Sequence, residues 1–313
     1  MQGIKHWAAL IALTVLCGCE ATNPERQQAR AVEQTVFGTP AGYSRLFSPA
    51  RHNFRIGLAA TGDPVRRGQF SERFELRDGD CGGSDCGAPR ARAEIAMDPD
   101  NNPARIGRDI WYSWSFYNVN VPSFRQENSL RLVFGQWTMG GKNRPIIRFI
   151  QLGKDEGNFE RCSPNVCVGP NTTTGDLVVH LDDIATARGW GAAQNNGYVC
   201  RLFDLTERRG QWTDITVNTN FSTGNDGYLR IWVNNRLVCN YFGPLVSADS
   251  AASRRQPHHR RGIFSSWTQR WARATDNAPR PDLIVYYDEF RVGRTRVAVD
   301  VGQAQNTGLA PAQ

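Results

Sequence analysis

The chain has 313 residues, a formal net charge of +7 and 40% hydrophobic side chains, including 9 Trp, 8 Tyr and 15 Phe. This charge is modest for the length and no recognised motif accompanies it, so the composition argues against nucleic-acid binding. A basic, aromatic-rich chain is better suited to a polyanionic or sugar partner, although most aromatic side chains are also expected in a β-sheet core, and we expect a monomer.

The N-terminal residues carry the pattern of a bacterial lipoprotein signal. Lys5 precedes an apolar run at 7–16, which is too short to span a bilayer, and a lipobox-like LCGC motif follows at 16–19. We predict a signal peptide at 1–18, a lipidated Cys19, a tether at 19–35, a folded domain at 36–300 and a disordered tail at 301–313. The protein would then be exported and anchored by lipid at the cell envelope, periplasmic or at the outer membrane. Ordinary secretion, with Cys19 removed, is the alternative.

Six cysteines follow Cys19, and an even number outside the cytosol favours disulfides. Cys81–Cys86 and Cys162–Cys167 share the same spacing, with four residues between the partners. The remaining pair, Cys200–Cys239, closes a loop of roughly 40 residues and would stabilise the fold by about 4 kcal/mol in the chain-entropy model. A zinc site is the alternative, but the close-spaced loops hold glycine, serine, proline and asparagine rather than histidine, so we predict no metal there.

Apolar and polar residues alternate repeatedly along the chain, which is typical of β-strands with one buried face. Residues 70–77 and 90–97 alternate in this way, with Arg92 and Glu94 on the polar face of the second segment. We predict two antiparallel strands there, joined by the loop that Cys81–Cys86 closes. Further strands are predicted at 111–117, 130–138, 146–151, 177–181, 212–220, 228–233, 236–241, 262–267 and 283–292, with a short helix near 182–188.

Asn234 and Asn235 separate two of these strands, and asparagine tolerates the positive φ that a two-residue hairpin turn requires. Many short strands with turns between them predict an all-β sandwich or jelly roll in a single domain. The oxygen-rich loops at 98–102 and 225–226 leave calcium open as a ligand, although the same residue types are ordinary turn formers and no other cofactor is predicted.

Eight segments stand out when they are taken in order: RFELRDGD (73–80), RAEI (92–95), WYSWSFY (111–117), FGQW (134–137), WTDITVNTNFS (212–222), GYLRIWVNNRLVCNYFGP (227–244), RRGIF (260–264) and YYDEFRVG (286–293). Together they resemble the heparin-lyase-like polysaccharide lyases. The resemblance covers about residues 54–295. It implies a concanavalin-like β-jelly roll of two antiparallel sheets and an enzyme that cleaves an acidic, uronic-acid-containing polysaccharide by β-elimination.

The chemistry of β-elimination gives two residues of these segments a role. A cationic or amide group must neutralise the uronate carboxylate, a base must remove the proton at C5, and an acid must protonate the departing oxygen. The resemblance assigns neutralisation to Arg92 and Gln136; the alternative for Arg92 is a surface ladder with Arg90 and Glu94. The family often has histidine two residues after this glutamine and tyrosine at the end of RRGIF, where this chain has Thr138 and Phe264.

Other residues could replace the missing base and acid. His180 lies in an apolar predicted strand and is a catalytic candidate, with a structural role as the alternative. The basic run at 254–261 supplies the substrate-binding candidates His258, His259 and Arg260, with a solvated loop as the alternative. The predicted substrate-binding set also includes Arg90, Glu94 and Tyr286. If the proton-transfer groups are absent altogether, the chain is a non-catalytic glycan-binding lipoprotein.

Overall fold

The computed structural model describes residues 38–152 and 175–301, which form two antiparallel sheets of seven strands each. Sheet A has the order β1 (Tyr43–Phe47), β4 (Ala91–Met97), β13 (His258–Ser265), β6 (Leu132–Thr138), β7 (Ile147–Gln151), β8 (Asp176–His180) and β9 (Tyr198–Asp204). Sheet B has the order β12 (Arg236–Phe242), β11 (Tyr228–Val233), β10 (Trp212–Thr219), β5 (Ile110–Asn118), β14 (Leu283–Gly293), β3 (Phe70–Leu76) and β2 (Phe54–Leu58). The predicted all-β sandwich is confirmed.

Helical segments are short and lie in the connections. The α-helices are α1 (Asp182–Ala187), α2 (Ala248–Ala252), α3 (Thr268–Ala274) and α4 (Arg296–Val299), and 3-10 turns occur at Arg51–Asn53, Ala59–Thr61, Gly83–Asp85, Pro99–Asn101, Gln126–Asn128 and Ala192–Gly197. The helix predicted near 182–188 is therefore confirmed as α1. Across the described residues, none of the helices has the length and apolar character needed to cross a membrane.

The hydrophobic core lies between the sheets, because alternate side chains of each strand point to opposite faces. On β4, Ala91, Ala93 and Ile95 are fully buried in this core, and on β5 Trp114 and Phe116 meet them from sheet B. Arg92 and Glu94 consequently lie on the outer face of sheet A, as the alternation predicts.

Residues 70–77 and 90–97 form strands as expected, but β3 and β4 do not share a sheet, which corrects the predicted antiparallel pair. The physical reason is that each strand has one apolar face, and the two faces bury each other from opposite sides of the core. Phe74 of β3 and Ala93 of β4 both belong to the core cluster. The loop that Cys81–Cys86 closes therefore crosses between the sheets.

The strand that contains the basic run begins at His258, whereas the prediction placed its start at 262. Residues 258–261 are therefore part of the sheet and do not form a solvated loop. Three strands were missed altogether, namely β1, β2 and β9. The predicted hairpin is confirmed, since β11 pairs with β12 and both Asn234 and Asn235 have positive φ.

Two of the three predicted disulfides are present, Cys81–Cys86 and Cys200–Cys239. Cys200 lies on β9 and Cys239 on β12, so this bond joins sheet A to sheet B. The third predicted pair, Cys162–Cys167, lies outside the described residues, as do Cys19, the signal peptide and the tether.

Candidate functional site

A row of polar side chains crosses five neighbouring strands on the outer face of sheet A. Arg260 of β13 is the register partner of Gln136 on β6, which is in turn the partner of Arg148 on β7. Arg148 is opposite His180 on β8, and His180 is opposite Tyr198 on β9. Directly opposite residues have Cβ atoms about 5 Å apart. Residues that are distant in sequence therefore lie side by side in one row.

The amide of Gln136 is held by a buried carboxylate. Gln136 Nε2 donates to Glu94 Oε1 at 2.7 Å, and Arg92 Nη1 donates to Glu94 Oε2 at 3.0 Å. Arg92 Nε also donates to Asp85 Oδ2 at 2.7 Å, and the guanidinium lies 4.3 Å from the ring centroid of Phe264. The structure thus brings the predicted residues Arg92, Glu94 and Gln136 together, but the charge of Arg92 is already matched by two carboxylates.

Arg260 is the cation of this row with no bonded carboxylate among the described residues. Its Nε is buried and finds no hydrogen-bond partner there, while the side chain as a whole is half-buried. Burial lowers the pKa of Arg260, and the nearby Glu94 opposes this without bonding to it. A partly buried guanidinium without a bonded carboxylate among the described residues, next to the amide of Gln136, is suited to binding an anion.

His258 lies on the same face, two residues before Arg260 on β13. Its register partner is Thr138, the position at which the family resemblance implies a histidine. The Nε2 atom of His258 is 3.5 Å from Arg260 Nη2, and Gln136 is its diagonal neighbour across the strand pair. Burial, assisted by Arg260, lowers the pKa of His258 to about 4, so the imidazole is neutral at neutral pH. An imidazole therefore lies beside Gln136, but it is carried by β13 and not by β6, the strand on which the family resemblance implies it.

His180 stacks on Tyr198 at the other end of the row, with ring centroids 4.5 Å apart and planes 19° apart. His180 Nε2 is 3.2 Å from the carbonyl oxygen of Asn196, which fixes the Nε2–H tautomer, and Nδ1 has no partner among the described residues. Burial and the neighbouring Arg148 lower the pKa of His180 to about 3. The hydroxyl of Tyr198 accepts a hydrogen bond from Arg131 Nη2 at 2.7 Å.

Arg148 was not among the predicted site residues, although its side chain lies in the middle of the row. It forms an ion pair with Asp182 at the start of α1. An arginine between Ile147 and Phe149, both fully buried in the core, was the available signal, since a charged residue alternating with core residues faces away from the core.

Two predicted substrate-binding residues lie elsewhere. His259 is fully buried between the sheets, with its ring centroid 4.7 Å from Trp137 and 4.8 Å from Phe290, because it alternates with His258 along β13. Tyr286 lies on sheet B, where its hydroxyl donates to Asp63 at 2.7 Å. Neither side chain shares the face of the row, and we leave both out of the site.

Arg90 precedes β4 and remains close to the row, with its Nη1 3.9 Å from Asp85 Oδ1 and about half of its side chain exposed.

In the described part of the chain, no three His, Cys, Asp or Glu side chains gather as a metal site would require. In the two loops considered for calcium, Asn102 accepts from the backbone N–H of Ala104 at 3.1 Å and Asp226 accepts from the hydroxyl of Ser222 at 2.5 Å. Both side chains therefore stabilise turns.

Comparison with known proteins identifies relatives of the whole sandwich. A family model described as polysaccharide lyase matches residues 48–291. The endo-β-1,4-glucuronan lyase of the fungus Trichoderma reesei is 14% identical, with a TM-score of 0.53, and the match covers 85% of this chain and 96% of that one. An alginate lyase from Pseudomonas aeruginosa is 13% identical, with a TM-score of 0.44 and coverage of 81% and 98%. A search of curated proteins returns no significant match.

Proposed function

Because the chain belongs to the polysaccharide lyase family, we propose that it cleaves a uronic-acid-containing glycan by β-elimination on the outer face of sheet A. The observation that carries this proposal is that His258, Arg260 and Gln136 lie together there, with His258 opposite Thr138. Glucuronan and alginate, which the two similar structures are named for cleaving, are uronate polymers. The eight segments quoted above support a closer kinship with the heparin-lyase-like members.

Arg260 and Gln136 bind and neutralise the uronate carboxylate. A carboxylate anion disfavours loss of the neighbouring C5 proton, because the resulting carbanion places a second negative charge on the same group. The guanidinium of Arg260 pairs with the anion, and the N–H of Gln136 that Glu94 does not use donates to it. Both interactions strengthen as charge develops on the carboxylate, so they stabilise the transition state more than the ground state.

His258 is the base. A backbone hydrogen bond to Gln256 holds one ring nitrogen, and Nε2 faces Arg260. Nε2 takes the C5 proton, the C–H electron pair forms the C4=C5 double bond, and the C4–O4 bond breaks. The departing oxygen then takes the proton from the imidazolium, which restores neutral His258. The bound uronate raises the pKa of His258 above its value in the free enzyme, because a nearby anion favours the imidazolium.

The other half of the row binds neighbouring sugars of the polymer. His180 is two strands from Gln136, which is about 10 Å at the usual strand spacing, so it cannot reach the same C5 proton. We therefore assign Arg148, His180 and Tyr198 to binding, which moves His180 from the catalytic role the sequence suggested.

The test follows absorbance of the unsaturated product on a panel of uronate polymers. Wild type should give a rise on at least one polymer, and Gln136→Ala should lose most of it. Gln211→Ala removes an exposed glutamine away from the row and should match wild type. Glycan binding without an absorbance rise at any pH would overturn the lyase proposal in favour of a glycan-binding protein. If the protein neither binds nor cleaves any polymer of the panel, the lyase proposal and the glycan-binding alternative are both overturned.

We also propose that the protein is exported, anchored through a lipid on Cys19 and monomeric. The support for export and for the anchor is the signal-like sequence at 1–19. In a bacterial host, wild type should enter the detergent phase and the membrane fraction, and Cys19→Ala should not. Equal partition of wild type and Cys19→Ala would overturn the anchor. The molar mass of Cys19→Ala in solution without detergent tests whether the protein is a monomer.

A further inference from the structure

A continuous chain of buried polar contacts connects the Cys81–Cys86 loop to Gln136. Asp85 accepts from Arg92 Nε at 2.7 Å, Arg92 donates to Glu94 at 3.0 Å, and Glu94 accepts from Gln136 at 2.7 Å. Asp85, Glu94 and Gln136 are each less than 5% exposed. Charge-assisted hydrogen bonds of this length in a buried setting are strong and directional.

The loop that carries Asp85 is fixed at both ends. Asp85 closes the 3-10 turn Gly83–Asp85, and the disulfide Cys81–Cys86 brackets that turn. The loop also packs on the end of β1, since a Cβ added at Gly82 would be 2.6 Å from the carbonyl oxygen of Phe47. The position of the Asp85 carboxylate is therefore set by the disulfide and by this close backbone approach.

Arg92 has an electrostatic effect in this chain that differs from direct substrate binding. Glu94 would otherwise present an uncompensated anion next to the site of the uronate, and the guanidinium of Arg92 cancels that charge. Asp85 holds the guanidinium in the orientation that keeps Nη1 on Glu94. Glu94 in turn holds the amide of Gln136 by one N–H, and the proposed function assigns the other N–H to the substrate.

We propose that Asp85 is a positioning residue for the lyase reaction: it orients Gln136 through Arg92 and Glu94, and the Cys81–Cys86 bond holds it in place. This inference rests on the proposed function. It assigns an activity-related role to a loop that does not itself contribute a side chain to the row that runs from Arg260 to Tyr198.

The test is a double-mutant cycle of Asp85→Asn and Gln136→Ala. In the wild-type background, Asp85→Asn should lower kcat by about ten- to a hundredfold with KM nearly unchanged, because a misplaced amide loses contacts that matter in the transition state. In the Gln136→Ala background it should lower kcat no further. Asp85→Glu keeps the carboxylate and should recover part of the loss. Additive losses would overturn the proposal.

A matched control separates this effect from loop stability. Asp78→Asn makes the same charge change three residues before Cys81, where Asp78 pairs with Arg280 and not with Arg92, and kcat should stay at the wild-type value. If the wild type binds glycan without cleaving it, the proposed function fails. The same cycle is then measured with dissociation constants for an oligouronate, where non-additivity still supports the positioning role and additivity overturns it.

The two disulfides provide a second control. Cys81→Ser with Cys86→Ser should reproduce the fall in kcat and, like Asp85→Asn, should have no effect in Gln136→Ala. Cys200→Ser with Cys239→Ser opens a longer loop and should cost more stability, but kcat should not change at a temperature where the variant remains folded. Equal kcat values for the two double variants would contradict the proposal.

Discussion

The two faces of β13 carry the same residue types, but the outer face belongs to the candidate site and the inner face packs in the core. The run His258-His259-Arg260-Arg261 gives each face one histidine and one arginine, because side chains alternate along a strand. His258 and Arg260 are half-buried on the outer face, whereas His259 and Arg261 are buried between the sheets. The groups that surround a side chain, and not its residue type, therefore decide whether it belongs to the candidate site or to the core.

The two arginines show this most clearly. Arg261 donates twice to Glu72 of β3, at 2.5 Å each, and lies 4.2 Å from the ring centroid of Tyr43 and 4.3 Å from that of Phe290. Although burial alone lowers the pKa of Arg261, Glu72 raises it above its ordinary value. Burial lowers the pKa of Arg260, and among the described residues no carboxylate bonds to Arg260 to restore it. One arginine has its charge matched within the protein, and the other is suited to an external anion.

Among substitutions on the two faces of β13, we expect the largest effect from removing the outer histidine, and that effect is on catalysis. His258→Gln keeps a polar side chain of similar reach but removes the proton acceptor, so kcat should fall by about 10² to 10⁴. KM should change much less, because the carboxylate-binding residues Arg260 and Gln136 remain. Initial rates of product absorbance on the preferred polymer measure both parameters.

His180→Gln is the matched variant at the other imidazole of the row. Its effect should fall mainly on KM, because His180 is assigned to binding. A large loss of kcat in His180→Gln together with near-normal kcat in His258→Gln would reverse the two assignments.

The arginine pair gives the next largest effect, on stability. Arg261→Met leaves the Glu72 carboxylate without its partner and should cost about 3–5 kcal/mol of unfolding free energy in urea. Arg260→Met removes no ion pair within residues 38–152 and 175–301, so its stability should stay close to wild type while activity is lost. The double variant Arg261→Met with Glu72→Met should recover most of the stability, because no uncompensated charge remains. If Arg260→Met were the less stable variant, the inner and outer roles would be wrong.

The sequence was sufficient to place the side chains of the candidate site that lie within one strand. Alternation on β4 predicted that Arg92 and Glu94 face away from the core, and they do. The family resemblance singled out Gln136 beside Arg92, and Gln136 bonds to Glu94, which Arg92 also contacts. Even the close cysteine spacing predicted Cys81–Cys86 correctly. The inferences on β4 and on the disulfide use only local periodicity and spacing, whereas the one on Gln136 uses a short segment shared with the family.

Inferences that depend on register between distant strands were not available from the sequence. The position that the family resemblance gives to the base holds Thr138, and His258, which we propose as the base, lies opposite it on β13, more than a hundred residues later in the chain. Tyr198 joined the row only through β9, which was not predicted, since apolar and polar residues do not alternate cleanly where β8 and β9 shift register. His258 and His259 could not be assigned to opposite faces while residues 258–261 were interpreted as a loop.

The smallest expected effect concerns the inner histidine and tests whether His259 is only a packing residue. Both of its ring nitrogens are buried and have no hydrogen-bond partner among the described residues, and burial lowers its pKa well below the ordinary value. His259→Phe replaces it with an apolar ring of similar size among Trp114, Trp137 and Phe290. Unfolding free energy in urea at pH 7.5 should change by about 1 kcal/mol or less, because no hydrogen bond is lost.

The pH dependence gives this prediction its sign. The folded state holds His259 neutral while the unfolded chain protonates it below about pH 6.5, so wild-type stability falls as pH drops below that value, by up to about 1.4 kcal/mol per unit for each such histidine. His259→Phe removes this contribution and should flatten the curve between pH 6.5 and 5, leaving the part due to His180 and His258. Two results would contradict this prediction: a curve of stability against pH that is parallel to wild type, or a loss of about 3 kcal/mol of unfolding free energy at pH 7.5, as for a broken buried pair. Either result would mean that His259 has polar partners and that the inner face of β13 is more than a packing surface.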